Sequence, residues 1–264
     1  MGRTNEFGTG IGVGQPTPQV LPMDTFKPFF QVPGQRTMST EITDLPGLQA
    51  HRSVRHMAER IAETAATAER KGLVGEALQW YPNERERNAS IGTAFNAARA
   101  AKGLPLYHPE HPELAGLLLA SGYSQNSSEA RREGLIKHSM ETGEIAKHLS
   151  TPVLQRAVDN NTHPAVVYGS PKLRDFAGSI SEPETWTGGG QGLGYTIDRH
   201  QHDAAMGQKF GDDSRAISSG GTAIRRYRTL QAAHHLAHQF YDPSQNLSRP
   251  QFQALSWVGW RGAS

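Results

Sequence analysis

The stretch VRHMAERIAETA, residues 54–65, decides how the rest of the chain is read. Val54, Met57, Ile61 and Ala65 recur at intervals of three and four, so a helix collects them on one face, with Arg55, Glu59, Arg60 and Glu63 on the others. A strand, whose side chains alternate, cannot do this. The spacing predicts an amphipathic helix from just after Pro46 to about Lys71, with an apolar stripe that needs a partner. Working outward, the same reasoning predicts helices at roughly 75–101, 112–121, 127–149, 151–160, 197–210, 222–241 and 249–260. Turn clusters such as Gly103-Leu104-Pro105, Asn160-Asn161-Thr162-His163-Pro164 and Gly188-Gly189-Gly190 separate them. With no alternating strand pattern and no fixed-period repeat, residues 46–264 are expected to form one mostly α body.

Upstream the periodicity stops. Residues 1–45 are rich in Gly, Pro, Gln and Thr and are read as an extended Gly/Pro-rich N-terminal arm. Its cluster Phe26-Lys27-Pro28-Phe29-Phe30 leaves two readings open, a contact with the body or another protein subunit, because disordered tails are poor in aromatics, and a mobile tail. Met1 to Gly14 has no apolar core of a signal or transit peptide, and a cytoplasmic location is expected.

The chain of 264 residues has no cysteine, which excludes disulfide scaffolds, thiolate metal sites and cysteine nucleophiles. Its longest apolar run, around Leu117-Leu118-Leu119-Ala120, is far short of the roughly 20 residues that span a bilayer, and no membrane association is expected. A formal net charge of +2 permits an anionic partner without requiring one. Between 225 and 261, however, Arg225, Arg226, Arg228, Arg249 and Arg261 face a single acid, Asp242, which is the pattern of a phosphate footprint and also of a solvated helix face. His234 and His238 share a helix face at zinc-ligand spacing, but lack the glutamate of the metalloprotease pattern and a third ligand, so neither metal nor cofactor is expected. Trp257 and Trp260, beside Leu255 and Val258, are read as core anchors. Thr196 is read as the cap of a helix opening Ile197-Asp198-Arg199, and the helix dipole favours Asp198 there whatever else it does.

Segments in a fixed order carry a family resemblance. The run from Leu117 through Ser124, Gln125 and Ser127 resembles the helix end and Gln-containing loop of the helix-hairpin-helix (HhH-GPD) DNA glycosylase superfamily. Leu149 to Ala157 resembles the family's short helix that begins with Thr-Pro, and Tyr168-Gly169-Ser170-Pro171-Lys172 stands in the place of its phosphate-binding hairpin. Tyr195-Thr196-Ile197-Asp198-Arg199-His200 resembles the helix start that carries the catalytic aspartate. The resemblance is strongest over 114–211 and is that of a divergent, phage-type member. Two departures stand out: neither glycine of the family's Gly-hydrophobic-Gly turn is in register, and the insertion Glu182 to Gly194 is longer than usual.

The resemblance implies a helical, glycosylase-like body that binds double-stranded DNA. Gln125, supported by Ser124, would probe the hole left by a flipped base. Gly169 and Ser170, with Arg225, Arg226 and Arg228, would meet the backbone. Asp198 and Lys172 would be catalytic, with His200 orienting the loop around Asp198. The chemistry fits those residue types. An N-glycosidic bond breaks through an oxocarbenium-like state that a carboxylate stabilises, and a neutral lysine can instead attack C1′ and form a Schiff base. The expected function is therefore base excision or a related base modification. The alternative is a non-catalytic DNA-binding or virion-associated phage protein.

Overall fold

The computed structural model describes residues 42–124, 127–167, 170–190, 192–210 and 221–262. Among these residues are eleven helices and no strand. In chain order they are α1 (Leu45–Ala50), α2 (Arg52–Arg70), α3 (Val74–Ala101), α4 (Pro112–Tyr123), α5 (Glu129–Thr142) and α6 (Thr151–Asp159). Then follow α7 (Pro164–Val167), α8 (Pro171–Ser181), α9 (Arg199–Met206), α10 (Gly221–Tyr241) and α11 (Arg249–Gly262). Most of the expected arm, residues 1–41, lies outside the described residues. Ile42, Leu45 and Leu48, which do not, pack against the core.

The stripe predicted on α2 is the centre of one core: Val54, Met57, Ile61 and Ala65 are buried with Tyr227, Leu230, Ala233, Phe252 and Leu255 of α10 and α11. A second core joins Phe95 of α3, Leu114, Leu118 and Tyr123 of α4, and Leu154 of α6. Helix α3 ties the two together. Its Ala77 belongs to the first core and its Ile91 and Phe95 to the second, while Tyr81, with Leu117, Ile180 and Ala254, forms a small cluster between them. In the second lobe α3 and α4 approach backbone to backbone. A Cβ added at Gly92 would collide with Pro112 O, and one at Gly116 with Asn88 O, so both positions need the missing side chain.

Several helix ends differ from those expected, each for a local reason. The first helix is broken at His51, whose extended backbone ends α1 and whose ring accepts from Ser53 N to start α2. The helix expected over 127–149 stops at Thr142, because Gly143 adopts φ 68° and its carbonyl accepts from Arg99 Nη1 at 3.0 Å. Pro171-Lys172, read as part of a turn, instead opens α8. Proline's fixed φ and missing N–H suit the first turn of a helix. The last correction concerns α9, where Asp198, not Thr196, is the cap: Asp198 Oδ1 accepts from Gln201 N at 2.9 Å.

Buried polar groups join these elements. Asp175 of α8 is fully buried beside Arg174 and accepts from Gln231 Nε2 at 2.9 Å, with Tyr227 Oη donating at 3.0 Å. Gln231 Nε2 also lies 3.0 Å from Tyr195 O, and Tyr227 Oη accepts from Ile197 N at 3.3 Å. The segment leading to Asp198 is thereby clamped between α8 and α10.

His163 and His234 are buried, and burial pulls their pKa values down to about 3 and about 4. In the unfolded chain histidine titrates near about 6.5, so the unfolded state binds more protons below that pH. Stability from keeping these rings neutral is fully present above about pH 6.5 and is lost as pH falls toward 4. Thermal melts are expected to show a lower Tm at acid pH, and His163→Gln with His234→Gln should flatten that dependence. An unchanged acid slope in the double variant would assign it to other groups.

Candidate active site

Between the two lobes lies a cleft of about 400 Å³. Its walls come from distant parts of the sequence: Trp80, Tyr81 and Arg87 of α3, Ser124 at the end of α4, Arg132 of α5, Lys172 and Phe176 of α8, Thr196 and Asp198, and Trp257 of α11. The volume is within the range of small-molecule sites, about 300–1,000 Å³.

Asp198 is held from its backbone outward. The Gln253 amide pairs with the backbone of Thr196, accepting from its N–H at 2.6 Å and donating to its carbonyl at 2.8 Å. Gln201, whose N–H is capped by Asp198, donates to Gln253 O at 3.1 Å, and its amide lies 2.6 Å from His234 Nε2. One carboxylate oxygen of Asp198 is thus committed to the helix cap. The other has no hydrogen-bond partner among the described residues, on a half-buried side chain that lines the cleft.

Lys172 reaches the same cleft from the first turn of α8. It is half-buried and makes no ion pair or hydrogen bond among the described residues. Arg87 and Arg132, by contrast, lie 3.7 Å from Glu84 and 3.6 Å from Glu129. Tyr81 is buried at the junction of the lobes. Burial, reinforced by the charges of Asp198 and Asp175, pushes its hydroxyl pKa well above the usual tyrosine value, so it stays protonated.

Aromatic rings form one side of the cleft. Trp80 lies 5.3 Å from Trp257 and 6.3 Å from Phe176, centroid to centroid, and all three are half-buried. Arg261 stacks over the outer Trp257 ring at 4.6 Å. Trp257, read as a core anchor, is therefore a cleft wall, while Trp260 is half-buried elsewhere on α11. Such faces accept a planar ring by stacking.

The structure brings Ser124, Lys172 and Asp198 to one cleft. Gln125 and Gly169 lie outside the described residues. Ser170 is the N-cap of α8, with no hydrogen bond from its side chain to the helix. His200 does not line the cleft but meets the edge of Trp257 at 6.2 Å. Arg225 and Arg226 are exposed on α10, Arg228 is half-buried, and none of the three lines the cleft. Among the described residues no group of three His, Asp or Glu side chains is placed to hold a metal ion, and no helix is long and apolar enough to cross a membrane. Trp80 and Phe176 were not singled out from the sequence. Their neighbours Ala77 and Tyr81, and Ala177 and Ile180, are core residues at helical spacing, and nothing local distinguishes a cleft aromatic from a core one. Comparison with protein-family models, curated proteins and solved structures yields no match.

Proposed function

We propose that the cleft receives a nucleotide turned out of duplex DNA, and that Asp198 stabilises positive charge at its sugar while the N-glycosidic bond breaks. One observation carries this reading: a carboxylate with a free oxygen, an unpaired lysine and two neighbouring, mutually tilted tryptophan rings line the same interlobe cleft. The resemblance of residues 114–211 to the HhH-GPD glycosylases supports it with the same residues, Asp198 and Lys172. The exposed Arg225 and Arg226 would add contacts to phosphates, which carry no sequence information but hold the duplex in register.

Two routes complete the reaction. In the first, the bond between C1′ and the base nitrogen breaks with its electron pair leaving on the base, and water oriented by Asp198 adds to C1′ and gives up a proton. In the second, neutral Lys172 Nζ attacks C1′, the base departs protonated, and ring opening leaves an imine between Nζ and C1′. Borohydride, by delivering hydride to that imine, would convert it to a stable secondary amine.

The test is incubation with duplexes carrying a panel of damaged and modified bases, with and without sodium borohydride. Base release with a trapped protein–DNA adduct that Lys172→Ala abolishes is the result expected of the lysine route. Release without trapping would assign the water route. Neither release nor modification of any base, with duplex binding retained, would replace the proposal by a non-catalytic binder.

A further inference from the structure

The insertion Glu182 to Gly194 takes no part in the cleft, yet it is built firmly onto the body. Trp186 is 2% exposed and packs on Gly178 of α8, where a Cβ would collide with the indole. Arg249 Nη1 donates to the carbonyls of Thr187 and Leu193, each at 2.9 Å, and closes the loop against α11. Between this loop and α10 lies a second pocket of about 180 Å³, lined by Trp186, His235, His238, Gln239, Ser248 and Arg249.

The polar groups of this pocket are unevenly matched. Arg249 uses only Nη1 in holding the loop, so the N–H groups on Nε and Nη2 have no acceptor among the described residues. Tyr195 Oη lies 3.0 Å from His238 Nδ1 and 3.4 Å from His235 Nδ1. His238 Nε2, across the ring, is buried and meets no partner at full hydrogen-bond geometry. The nearest carboxylate oxygen, Asp242 Oδ2, is 3.9 Å away and accepts from Leu247 N at 2.7 Å. His235 Nε2 also has no partner among the described residues. A buried ring nitrogen without a partner, beside a half-buried guanidinium with unused N–H groups, suits a small ligand rich in lone pairs.

We propose that this pocket is a second binding site, which takes a small oxyanion through Arg249, with His235 and His238 completing its shell. The charges around it fix how binding responds to pH. His235 is pulled down to about 4 by burial, then by Arg249 and His238. His238 is lowered by burial and by Arg249, against the opposing pull of Asp242 and of a weaker contact with the Leu247 backbone. Glu184 is exposed at the mouth, and Tyr195 is kept protonated by burial. An anion on Arg249 cancels the positive charge that both rings feel, so they take up protons more readily when it is bound. By linkage, affinity rises as pH falls.

Inorganic phosphate and acetate are the probes, titrated into the full chain while the ring resonances of His235 and His238 are followed by NMR. A saturable shift at both histidines is expected, several-fold tighter at about pH 5.5 than at about pH 7.5, and weakened about tenfold or more by Arg249→Gln. Because Arg249 also holds the loop, His235→Leu provides a second variant that touches no loop hydrogen bond. It should weaken binding and reduce its pH dependence with helicity unchanged. Competition by duplex DNA would identify the anion as a backbone phosphate, and independence from DNA would identify a free anion. Asp198→Asn should leave the shifts intact, which separates this site from the cleft. No saturable shift up to about 50 mM of either anion, or equal shifts in parent and both variants, would overturn the proposal.

Discussion

Asp198→Asn is expected to slow base release by about a thousandfold while leaving duplex affinity and stability nearly unchanged. Two roles meet at this residue, and the substitution separates them. As the cap of α9, Asp198 needs only an oxygen to accept from Gln201 N, and asparagine supplies one equally well. As the partner of a cationic sugar it needs its charge. A unit charge about 4 Å from another contributes about 4 kcal/mol at the effective dielectric of a partly solvated cleft, which is about three powers of ten in rate. Asp198→Ala should lose the same rate and also about 1 kcal/mol of stability with the cap. Denaturant unfolding and single-turnover kinetics on the three proteins measure both. Were asparagine to match the parent in rate, Asp198 would be a helix cap and nothing more.

Asp175→Ala is expected to be the most damaging substitution for the fold, at about 3–5 kcal/mol out of a total of about 5–15 kcal/mol. The cost comes from what is left behind. Arg174, 3% exposed, loses the carboxylate beside it, and Tyr227 Oη and Gln231 Nε2 lose their shared acceptor in a region without water access. Those two side chains also touch the Tyr195 carbonyl, so the segment ending at Asp198 should loosen with them. The urea midpoint monitored by circular dichroism gives the loss, and proteolysis within 192–198 reports the local effect. A loss below about 1 kcal/mol would mean that this network is not what holds the segment.

Helices were legible in the sequence wherever one face had to be apolar. The stripe from Val54 to Ala65 is buried as its spacing required, because no other conformation puts those side chains together. No helix is expected between 160 and 197, where Pro171-Lys172 stands in the place of a turn, yet Leu173, Phe176, Ala177 and Ile180 carry the helical period and a proline is at home in a first turn. The end of α5 turned on Gly143, whose left-handed backbone outweighed the good helix formers around it. The cleft is a different kind of object. Lys172 and Asp198 were singled out because a known pattern contains them, but Trp80 and Trp257 are 177 positions apart in the chain and meet only because α11 packs across the start of α3. Nothing in either local sequence announces that contact.

The most direct measurement of the central claim needs no knowledge of the target base. A duplex carrying a cationic pyrrolidine in place of one deoxyribose imitates the charged sugar, and the same duplex with a neutral tetrahydrofuran imitates only its shape. The parent protein is expected to bind the cationic duplex at least about tenfold more tightly than the neutral one, because a site built for a transition state favours its analogue. In Asp198→Asn that preference should disappear while affinity for the neutral duplex stays the same. Equal binding of the two duplexes by the parent, or a preference that survives in Asp198→Asn, would contradict the assignment of Asp198 to a cationic sugar.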